Sequence, residues 1–223
     1  MPSYNDYVEN KRHSLAITAQ KLRQSAHRPS PLSPLVLMTD PDRVTDVLAA
    51  AALMPSGSAI IYRHFGDENA ENIATALRQI CFDKNIQLLI GHDPALAIKI
   101  GADGVHFRRD PDAALPLLWK RRCPDWIVTM AGLKTGALKT RGYRADISAL
   151  DGLFISSIFK SQSPSSGEPI GPIRLGALCQ ELPCPVFALG GIDSDNAHEL
   201  LGSGAAGLAA IKGLSKPRPS AEG

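Results

Sequence analysis

The sequence lacks the features that mark membrane, secreted or nucleic-acid-binding proteins. No apolar run approaches the roughly 18 residues that a membrane-spanning helix needs. The first residues include Asp6 and Glu9 in a mixed polar pattern, without the basic region and apolar core of a secretory signal. The formal net charge is only +2, too small to favour nucleic acid as a partner. We therefore expect a cytoplasmic protein that binds neither membranes nor nucleic acid.

The four cysteines lack the spacing of a metal site or a disulfide framework. Cys81, Cys123, Cys179 and Cys184 include no Cys-x-x-Cys pair. Cys81 and Cys179 also fall on apolar faces of segments with helical periodicity, where cysteine behaves as a small hydrophobic residue. These patterns indicate reduced core thiols in a cytoplasmic protein.

The rest of the composition is that of an ordinary globular domain. The chain has 223 residues, of which 44% are hydrophobic and 21% are charged. This length suits one complete barrel or one doubly wound domain, and one domain is the simpler prediction. The small positive charge is compatible with small phosphorylated substrates. The sequence leaves open whether the protein forms a homo-oligomer.

Short apolar runs alternate with amphipathic segments along most of the chain. The predicted strands cover residues 35–39, 58–62, 86–90, 103–107, 126–130, 152–156, 185–189 and 206–211. The predicted helices between them cover residues 43–53, 68–83, 94–100, 112–121, 134–144 and 173–181. A last helix would be capped by Asp193 or Ser194. Eight strands in strict alternation favour an α/β fold, a single (β/α)8 TIM barrel, over an open doubly wound sheet.

An extra helix precedes this barrel, and the last helix is truncated or missing. Apolar residues recur at steps of three and four within residues 4–26, which is typical of an amphipathic helix. Three prolines then predict an extended linker. We divide the chain into the helix and linker at 1–34, the barrel at 35–214 and a disordered tail at 215–223, which is polar and proline-rich. The first helix would cover the surface that a missing eighth helix leaves open.

The clearest functional pattern lies between residues 184 and 214. An apolar strand ends in Gly190-Gly191, and a helix and a second apolar strand follow at once. Glycines after one strand and a turn after the next would expose backbone N–H groups at one rim, which suits a phosphate. The loops after strands 7 and 8 of a TIM barrel often form such a site. The alternative is that Gly190-Gly191 only makes a tight turn.

A second notable segment follows the sixth predicted strand. Residues 160–172 form a long, hydroxyl-rich stretch without apolar periodicity. A loop of this length at the catalytic rim is typical of a lid or a binding loop.

Three segments of the barrel carry a resemblance to a known family. They are IGADGVH at 100–106, FALGGI at 187–192 and GAAGLA at 204–209. In this order and spacing they resemble the thiamine phosphate synthase and TenI family of (β/α)8 barrels. The family's synthases join hydroxymethylpyrimidine pyrophosphate to a thiazole phosphate with magnesium and release pyrophosphate, and its TenI branch isomerises a thiazole phosphate. The resemblance implies a role in thiamine biosynthesis.

The resemblance also implies where a thiazole phosphate would bind. Its phosphate would lie against Gly190, Gly191 and the backbone near Ile211 and Lys212. After the fifth strand, Thr129 is the nearest hydroxyl to the substrate position. In the loop after the sixth strand, the synthases have a threonine-rich segment that ends in lysine. Here the hydroxyls are Ser161 and Ser163.

The catalytic half of the synthase pattern is only partly present. The family's Gln-x-Arg-x-Lys motif corresponds to residues 61–65, where Arg63 remains and would bind a phosphate group. The lysine of the sixth loop corresponds to Pro164, and Lys160 could supply a cation instead. After the third strand the synthases have Asn-Asp, whereas this chain has Gly91 and His92 there.

Magnesium would be held by carboxylates near these motifs. Asp93 would reach the ion if the third loop slips by one residue, and Asp110 lies beside the position of the second ligand. One or two carboxylates with pyrophosphate oxygens and waters would suit magnesium.

Three functional hypotheses follow. The candidate catalytic residues are Arg63, His64, His92 and Lys160. The first hypothesis is a divergent thiamine phosphate synthase, with Arg63, Asp93, Asp110, Ser161 and Ser163 in its site. The second is a TenI-like isomerase, in which His64 or His92 would be the general base. The third is a non-catalytic barrel that binds a phosphorylated ligand, because fold does not guarantee chemistry.

Overall fold

The computed structural model describes residues 4–109, 113–132, 147–161 and 167–215, with side chains from residue 9 onward. Within these ranges, eight parallel strands pair in chain order and close into a barrel, because β8 pairs with β1. The strands are β1 (Leu35–Met38), β2 (Ala59–Tyr62), β3 (Gln87–Gly91), β4 (Gly104–Phe107), β5 (Ile127–Ala131), β6 (Gly152–Ile155), β7 (Val186–Leu189) and β8 (Gly207–Ala210). This topology confirms the predicted TIM barrel.

The helices pack around this barrel. They are α1 (Tyr4–Gln24), α2 (Val47–Ala52), α3 (Ala70–Asp83), α4 (Pro94–Ile100), α5 (Ala114–Arg122) and α6 (Gly171–Glu181). Two short 3-10 turns lie at Ile147–Ala149 and Ala197–Leu200. α2 begins later than predicted because Asp46 caps it, its carboxylate accepting from the Ala49 amide at 2.9 Å. The helix predicted at 134–144 lies outside the described residues.

The prediction of an α-helix between β7 and β8 is wrong, because this segment forms only a single 3-10 turn, Ala197–Leu200. The predicted cap is wrong too, because the N-cap of this turn is Asn196, which makes no side-chain cap bond. The Asp193 carboxylate accepts from the amides of Asp195 at 2.9 Å and Asn196 at 3.2 Å, just before the turn. The backbone becomes extended at Leu201, with ψ of 136°, and Gly202 follows with a positive φ of 84°. The segment therefore leaves helical geometry after one turn.

The core has two layers, one inside the barrel and one between the strands and the helices. Most strands are buried along their whole length, as expected for parallel strands covered on both faces. Stacked Phe154 and Phe187, with ring centroids 5.0 Å apart, fill part of the interior. The interior is thus a packed core beneath one open end.

The proline-rich linker closes the amino-terminal end of the barrel. Leu32 is 1% exposed and belongs to the cluster of residues inside the barrel. The amide of Ser33 donates to Gln87 Oε1 at 2.7 Å, and Gln87 Nε2 donates to the Pro31 carbonyl at 3.0 Å. Gln87 is the first residue of β3, so these bonds attach the linker to the barrel floor.

α1 packs where an eighth helix would lie, against β8, β1 and the Ala197–Leu200 turn. Its predicted apolar residues Leu15, Ala19 and Leu22 are fully buried. Arg12 is buried with them, and its Nε donates to the Leu214 carbonyl at 3.2 Å, while burial lowers its pKa. Leu214 follows β8, so Arg12 joins α1 to the segment after the last strand.

Two aspartates at the amino-terminal ends of strands make the same pair of contacts. Asp103 precedes β4 and accepts from the Leu88 amide at 2.7 Å and from an Arg78 guanidinium nitrogen at 2.8 Å. Asp151 precedes β6 and accepts from the Val128 amide at 2.8 Å and from Lys120 Nζ at 2.7 Å. In each case one carboxylate joins two neighbouring strands and a helix cation. Asp103 of the GADGVH motif is therefore a structural residue.

All four cysteines are free thiols, and Cys81, Cys179 and Cys184 are buried. Burial raises the pKa of each of these three to about 12.

Among the described residues, no helix is both long and apolar enough to cross a membrane.

Candidate functional site

A cavity of about 960 Å³ opens at the carboxyl-terminal ends of the strands. This is the end of a TIM barrel at which active sites form. Its walls include ten of the residues predicted for the site: Arg63, His64, His92, Asp93, Lys160, Ser161, Gly190, Gly191, Ile211 and Lys212. Of the remaining three, Asp110 and Ser163 lie outside the described residues, and Thr129 lies deeper in the barrel.

Gly190 and Gly191 form one wall of the cavity, where a side chain would not fit. Their φ angles are +100° and +70°, a region that favours glycine. A Cβ on Gly190 would lie 2.9 Å from Ser157 Cα, and one on Gly191 would lie 2.5 Å from the Lys160 carbonyl oxygen. Conformation and close packing both require glycine here, because the loop after β6 runs directly against the loop after β7.

A turn after β8 packs against the loop after β7. The amide of Ser215 donates to the Ile211 carbonyl at 3.0 Å, which closes the turn. A Cβ on Gly213 would lie 2.9 Å from the Ile192 carbonyl oxygen, so the two loops touch through their backbones. We call residues 190–192 and 211–213, all of which line the cavity, the glycine cup. Its consecutive backbone amides suit an anion.

Asn196 fixes the glycine cup from the side away from β6. Its Nδ2 donates to the Gly191 carbonyl at 2.7 Å, and its Oδ1 accepts from the Asp193 amide at 3.0 Å. Sequence analysis missed this residue. The Asp-x-x-Asn pattern just after the glycines was the available signal, since such side chains bond to nearby backbone in turns.

Arg63 is held at the opposite wall by contacts from β1. Its Nε donates to the Thr39 carbonyl at 2.7 Å, and its Nη2 lies 3.3 Å from Asp40 Oδ2. A Cβ on Gly91 would lie 2.8 Å from Arg63 Cγ, so glycine at this position gives the Arg63 side chain room. Burial lowers the pKa of Arg63, yet a guanidinium stays charged at neutral pH.

Asp40, which sequence analysis also missed, joins two arginines. Its Oδ2 lies 3.3 Å from Nη2 of Arg43 and 3.3 Å from Nη2 of Arg63. Its Oδ1 is buried and has no hydrogen-bond partner among the described residues. A polar Thr39-Asp40 pair directly after an apolar strand was the signal that could have indicated a residue of the rim.

His64 and Asp93 form a pair across the loops after β2 and β3. His64 Nε2 lies 3.3 Å from Asp93 Oδ2, and His64 Nδ1 accepts from the Gly66 amide at 3.1 Å. Because Nδ1 is an acceptor, the proton of the neutral ring lies on Nε2 and faces Asp93. Both ring nitrogens are therefore engaged. As a general base, His64 would first have to release the Gly66 amide.

His92 and His106 lie next to each other below this pair. The His92 amide donates to the His106 carbonyl at 2.8 Å, and the His92 backbone has a positive φ of 58°. His106 is 5% exposed, and burial lowers its pKa to about 3, so it is neutral. Its Nδ1 lies 2.9 Å from the hydroxyl of Thr129, which is fully buried. Thr129 therefore contacts the cavity lining through His106.

The charge on the cavity walls is positive. Among the described residues, the lining has five cationic side chains, those of Arg43, Arg63, Arg108, Lys160 and Lys212, and three acidic ones, those of Asp40, Asp93 and Asp193. Asp40 contacts two of the arginines, and the Asp193 carboxylate accepts from two backbone amides of its own loop. The cavity is therefore suited to an anionic ligand.

The described residues contain no group of three or more His, Cys, Asp or Glu side chains that could hold a metal ion. Asp93 Oδ1 caps α4 by accepting from the Leu96 amide at 2.9 Å, and its Oδ2 faces His64.

The fold and the cavity together define a TIM barrel with a positively charged cavity at its carboxyl-terminal end. Residues 35–214 match the family model described as thiamine monophosphate synthase (TMP-TENI). The chain belongs to the thiamine phosphate synthase and TenI family of thiamine biosynthesis, as its motifs predicted.

Relatives of known name agree with this family, and a solved structure agrees with the fold. The thiamine-phosphate synthase of Halorhodospira halophila is 30% identical over 192 residues, which cover 84% of this chain and 88% of the relative. That of Alcanivorax borkumensis is 29% identical over 188 residues, covering 81% of this chain and 84% of the relative. The structure of thiamine phosphate pyrophosphorylase from Pyrococcus furiosus matches with a TM-score of 0.64 at 24% identity, covering 80% of this chain and 85% of that one. This last likeness supports the fold.

Proposed function

We propose that the chain is a divergent thiamine phosphate synthase, which binds a thiazole phosphate and joins it to hydroxymethylpyrimidine pyrophosphate. The observation that carries this proposal is the glycine cup, where two loops meet without room for side chains and border the cavity with backbone. Its residues would hold the phosphate of the thiazole substrate. The synthase names of relatives covered over 84% and 88% of their length support the same reaction.

The pyrophosphate would lie between the glycine cup and Arg63, which follows β2. Arg63 is fixed there by Thr39 and Asp40, and its planar guanidinium can pair with two phosphate oxygens. Lys160 and Ser161 lie on the loop that packs against the cup and would add a cation and a hydroxyl. Most of the catalysis would come from positioning two anionic substrates and from neutralising charge.

The central step requires charge stabilisation more than acid–base chemistry. The C–O bond between the pyrimidine's methylene carbon and pyrophosphate breaks, and pyrophosphate leaves with the bonding electrons. The thiazole nitrogen then donates its lone pair to that carbon and forms the C–N bond of a thiazolium product. Arg63 and Lys160 would stabilise the negative charge that develops on the leaving oxygen.

Several motif replacements predict a slow enzyme. Ile61, Phe65, Gly91 and Pro164 stand where the family's synthases have polar groups. Loss of one charge-stabilising contact typically costs ~10²–10³ in rate. We therefore expect turnover well below that of relatives with the complete motif.

Magnesium is part of the proposal, with Asp93 and Asp110 as its carboxylate ligands. Asp93 suits this role because it lines the cavity, its side chain is 34% exposed, and its 3.3 Å contact with His64 is longer than a strong charge-assisted hydrogen bond. When bound, the ion would supply positive charge to the pyrophosphate. The measurement is pyrophosphate affinity with and without magnesium, in the wild type and in Asp93→Asn.

The main test measures thiazole phosphate binding by calorimetry in the wild type and in Gly191→Ala. The new methyl group would meet the Lys160 carbonyl, so the cup should be displaced and binding should fall by at least tenfold. Gly202→Ala is the matched control, since Gly202 also has a positive φ, +84°, but has open space around the position of a Cβ. Equal affinity in Gly191→Ala and Gly202→Ala would contradict a phosphate site at the cup.

A product assay on the same samples separates the alternatives. Thiamine phosphate formed from both substrates supports the synthase. Exchange of a proton on thiazole phosphate without the second substrate would instead support the isomerase. Binding of thiazole phosphate without either reaction would leave a non-catalytic binding protein.

A further inference from the structure

Phe65 is exposed at the mouth of the cavity, although large aromatic side chains are usually buried. Its side chain is 67% exposed, and the residue lines the cavity. Its φ is +50°, which is uncommon for a bulky residue. Such strain persists only where surrounding structure enforces it, and it concentrates at functional sites. Phe65 also stands at the position of the motif lysine.

The ring of Phe65 has a contact with Arg63, and the backbone that follows it is fixed in a turn. The Arg63 guanidinium carbon lies 5.3 Å from the ring centroid, and Arg63 is itself held by the Thr39 carbonyl. The backbone after Phe65 is closed into a turn, since the Gly66 amide donates to His64 Nδ1 at 3.1 Å and the Asp67 amide to the His64 carbonyl at 2.9 Å. The ring is therefore held by Arg63 on one side and remains accessible elsewhere.

We propose that Phe65 is a specificity-determining residue, a stacking surface for the planar ring of the phosphorylated ligand. This inference rests on the proposed function for the identity of that ring, a thiazole or a pyrimidine. The cup and Arg63 recognise phosphate groups, which many metabolites carry. A flat apolar surface at the opening adds recognition of an aromatic ring, because aromatic rings pack favourably in offset or edge-to-face arrangements.

The experiment compares ligands with and without a ring. Thiamine phosphate and pyrophosphate are titrated into the wild type, Phe65→Ala, Phe65→Tyr and Phe82→Ala. Phe82 is the matched control, because it is 76% exposed on α3 and does not line the cavity. Phe65→Ala should weaken thiamine phosphate binding by about tenfold, the usual scale of aromatic stacking. Pyrophosphate should change by less than about twofold, and Phe65→Tyr should restore thiamine phosphate binding.

Two results would overturn the inference. One is an unchanged affinity for thiamine phosphate in Phe65→Ala. The other is an equal loss for thiamine phosphate and pyrophosphate, which would mean that Phe65 acts only by supporting Arg63.

A second pair of ligands separates this inference from the proposed function. Phenyl phosphate and methyl phosphate carry the same phosphate group and differ in the ring. A wild-type preference for phenyl phosphate that disappears in Phe65→Ala supports ring recognition, even if thiamine phosphate fails to bind and the proposed function is wrong. Absence of that preference in a wild type that binds thiamine phosphate tightly would leave the proposed function intact and overturn the role of Phe65.

Discussion

The two ends of the barrel use the same chemical groups in different ways. At the amino-terminal end, Asp103 and Asp151 each bond a backbone amide and a cation at 2.7 to 2.8 Å. At the carboxyl-terminal end, Asp40 lies 3.3 Å from two arginines and Asp93 lies 3.3 Å from His64, and one Asp40 oxygen has no partner among the described residues. Charges that are satisfied stabilise the fold, whereas charges that are held loosely around a cavity remain available to a ligand.

The two ends also differ in what covers them. The amino-terminal end is closed by Leu32 and by linker bonds to Gln87. The carboxyl-terminal end has a cavity whose lining includes two non-glycine residues with positive φ, Phe65 and His92. Such conformations persist where the surrounding structure enforces them.

The largest expected effect is on the carboxyl-terminal end, from Arg63→Ala. Removal of this guanidinium should lower the rate of thiamine phosphate formation by ~10²–10³, because it removes charge stabilisation of the leaving group. Steady-state kinetics check this. The control is Arg174→Ala, an exposed arginine on α6 outside the cavity lining. A comparable loss of rate in Arg174→Ala would show that the effect of Arg63→Ala is not specific to the cavity.

The next effect concerns the amino-terminal end, where Asp151→Ala should reduce the free energy of unfolding by about 2–3 kcal/mol. The change leaves the Val128 amide and Lys120 without their carboxylate, and an unsatisfied buried donor costs about 1–3 kcal/mol. Urea unfolding measures this, with exposed Asp125→Ala as the control. Ligand affinity of the folded protein should be unchanged. Weakened ligand binding in Asp151→Ala would contradict the division of roles.

A smaller effect is the pH dependence that buried His106 confers. Its folded pKa of about 3 is below the usual value of 6.5, so only the unfolded chain takes up this proton between these values. This contribution to stability is fully present above pH 6.5 and is lost as the pH falls towards 3. Between pH 8 and pH 5 the loss should be about 2 kcal/mol.

Urea unfolding at several pH values measures this loss. His106→Gln should flatten the profile, whereas His13→Gln, at an exposed position on α1, should not. An identical slope in the wild type and His106→Gln would show that other groups cause the pH dependence.

The smallest effect is on cysteine labelling of the native protein. Cys123 is partly exposed, while the other three thiols are buried and their pKa values are raised to about 12. Thiolate is the reactive form, so a thiol reagent should label about one cysteine per native chain. Cys123→Ser should remove this labelling. Labelling of a buried thiol without denaturant would indicate that the barrel opens locally.

The alternation of apolar runs predicted most of the fold, because strands and helices have different periods that a local pattern reveals. The prediction was wrong for the segment after Gly191, where a single 3-10 turn replaces a helix. Its apolar residues fit a helical pattern, but the extended backbone at Leu201 and the positive φ of Gly202 end the helical geometry after one turn. Over a segment this short, hydrophobic periodicity does not distinguish an α-helix from a single 3-10 turn.

The position of the glycine cup could be predicted from the sequence, but the packing that requires glycine there could not. Sequence patterns indicated that Gly190 and Gly191 lie after a strand at the catalytic rim. The structure adds the loop after β6, whose backbone leaves no room for a Cβ. Gly91 is a similar case, since the sequence shows a missing polar group and the structure shows space for Arg63.

The sequence by itself determined the barrel, the order of its elements and the strand ends at which a site forms. Tertiary structure alone decided that Asp40 meets Arg63, that Asn196 bonds Gly191 and that Arg63 lies over Phe65. It also placed α1 where an eighth helix would pack. The physical reason is that local hydrophobic periodicity specifies elements but not the conformation of the loops between them. The contact of Asp40 with Arg63 also joins two separate loops, which meet only when the barrel closes.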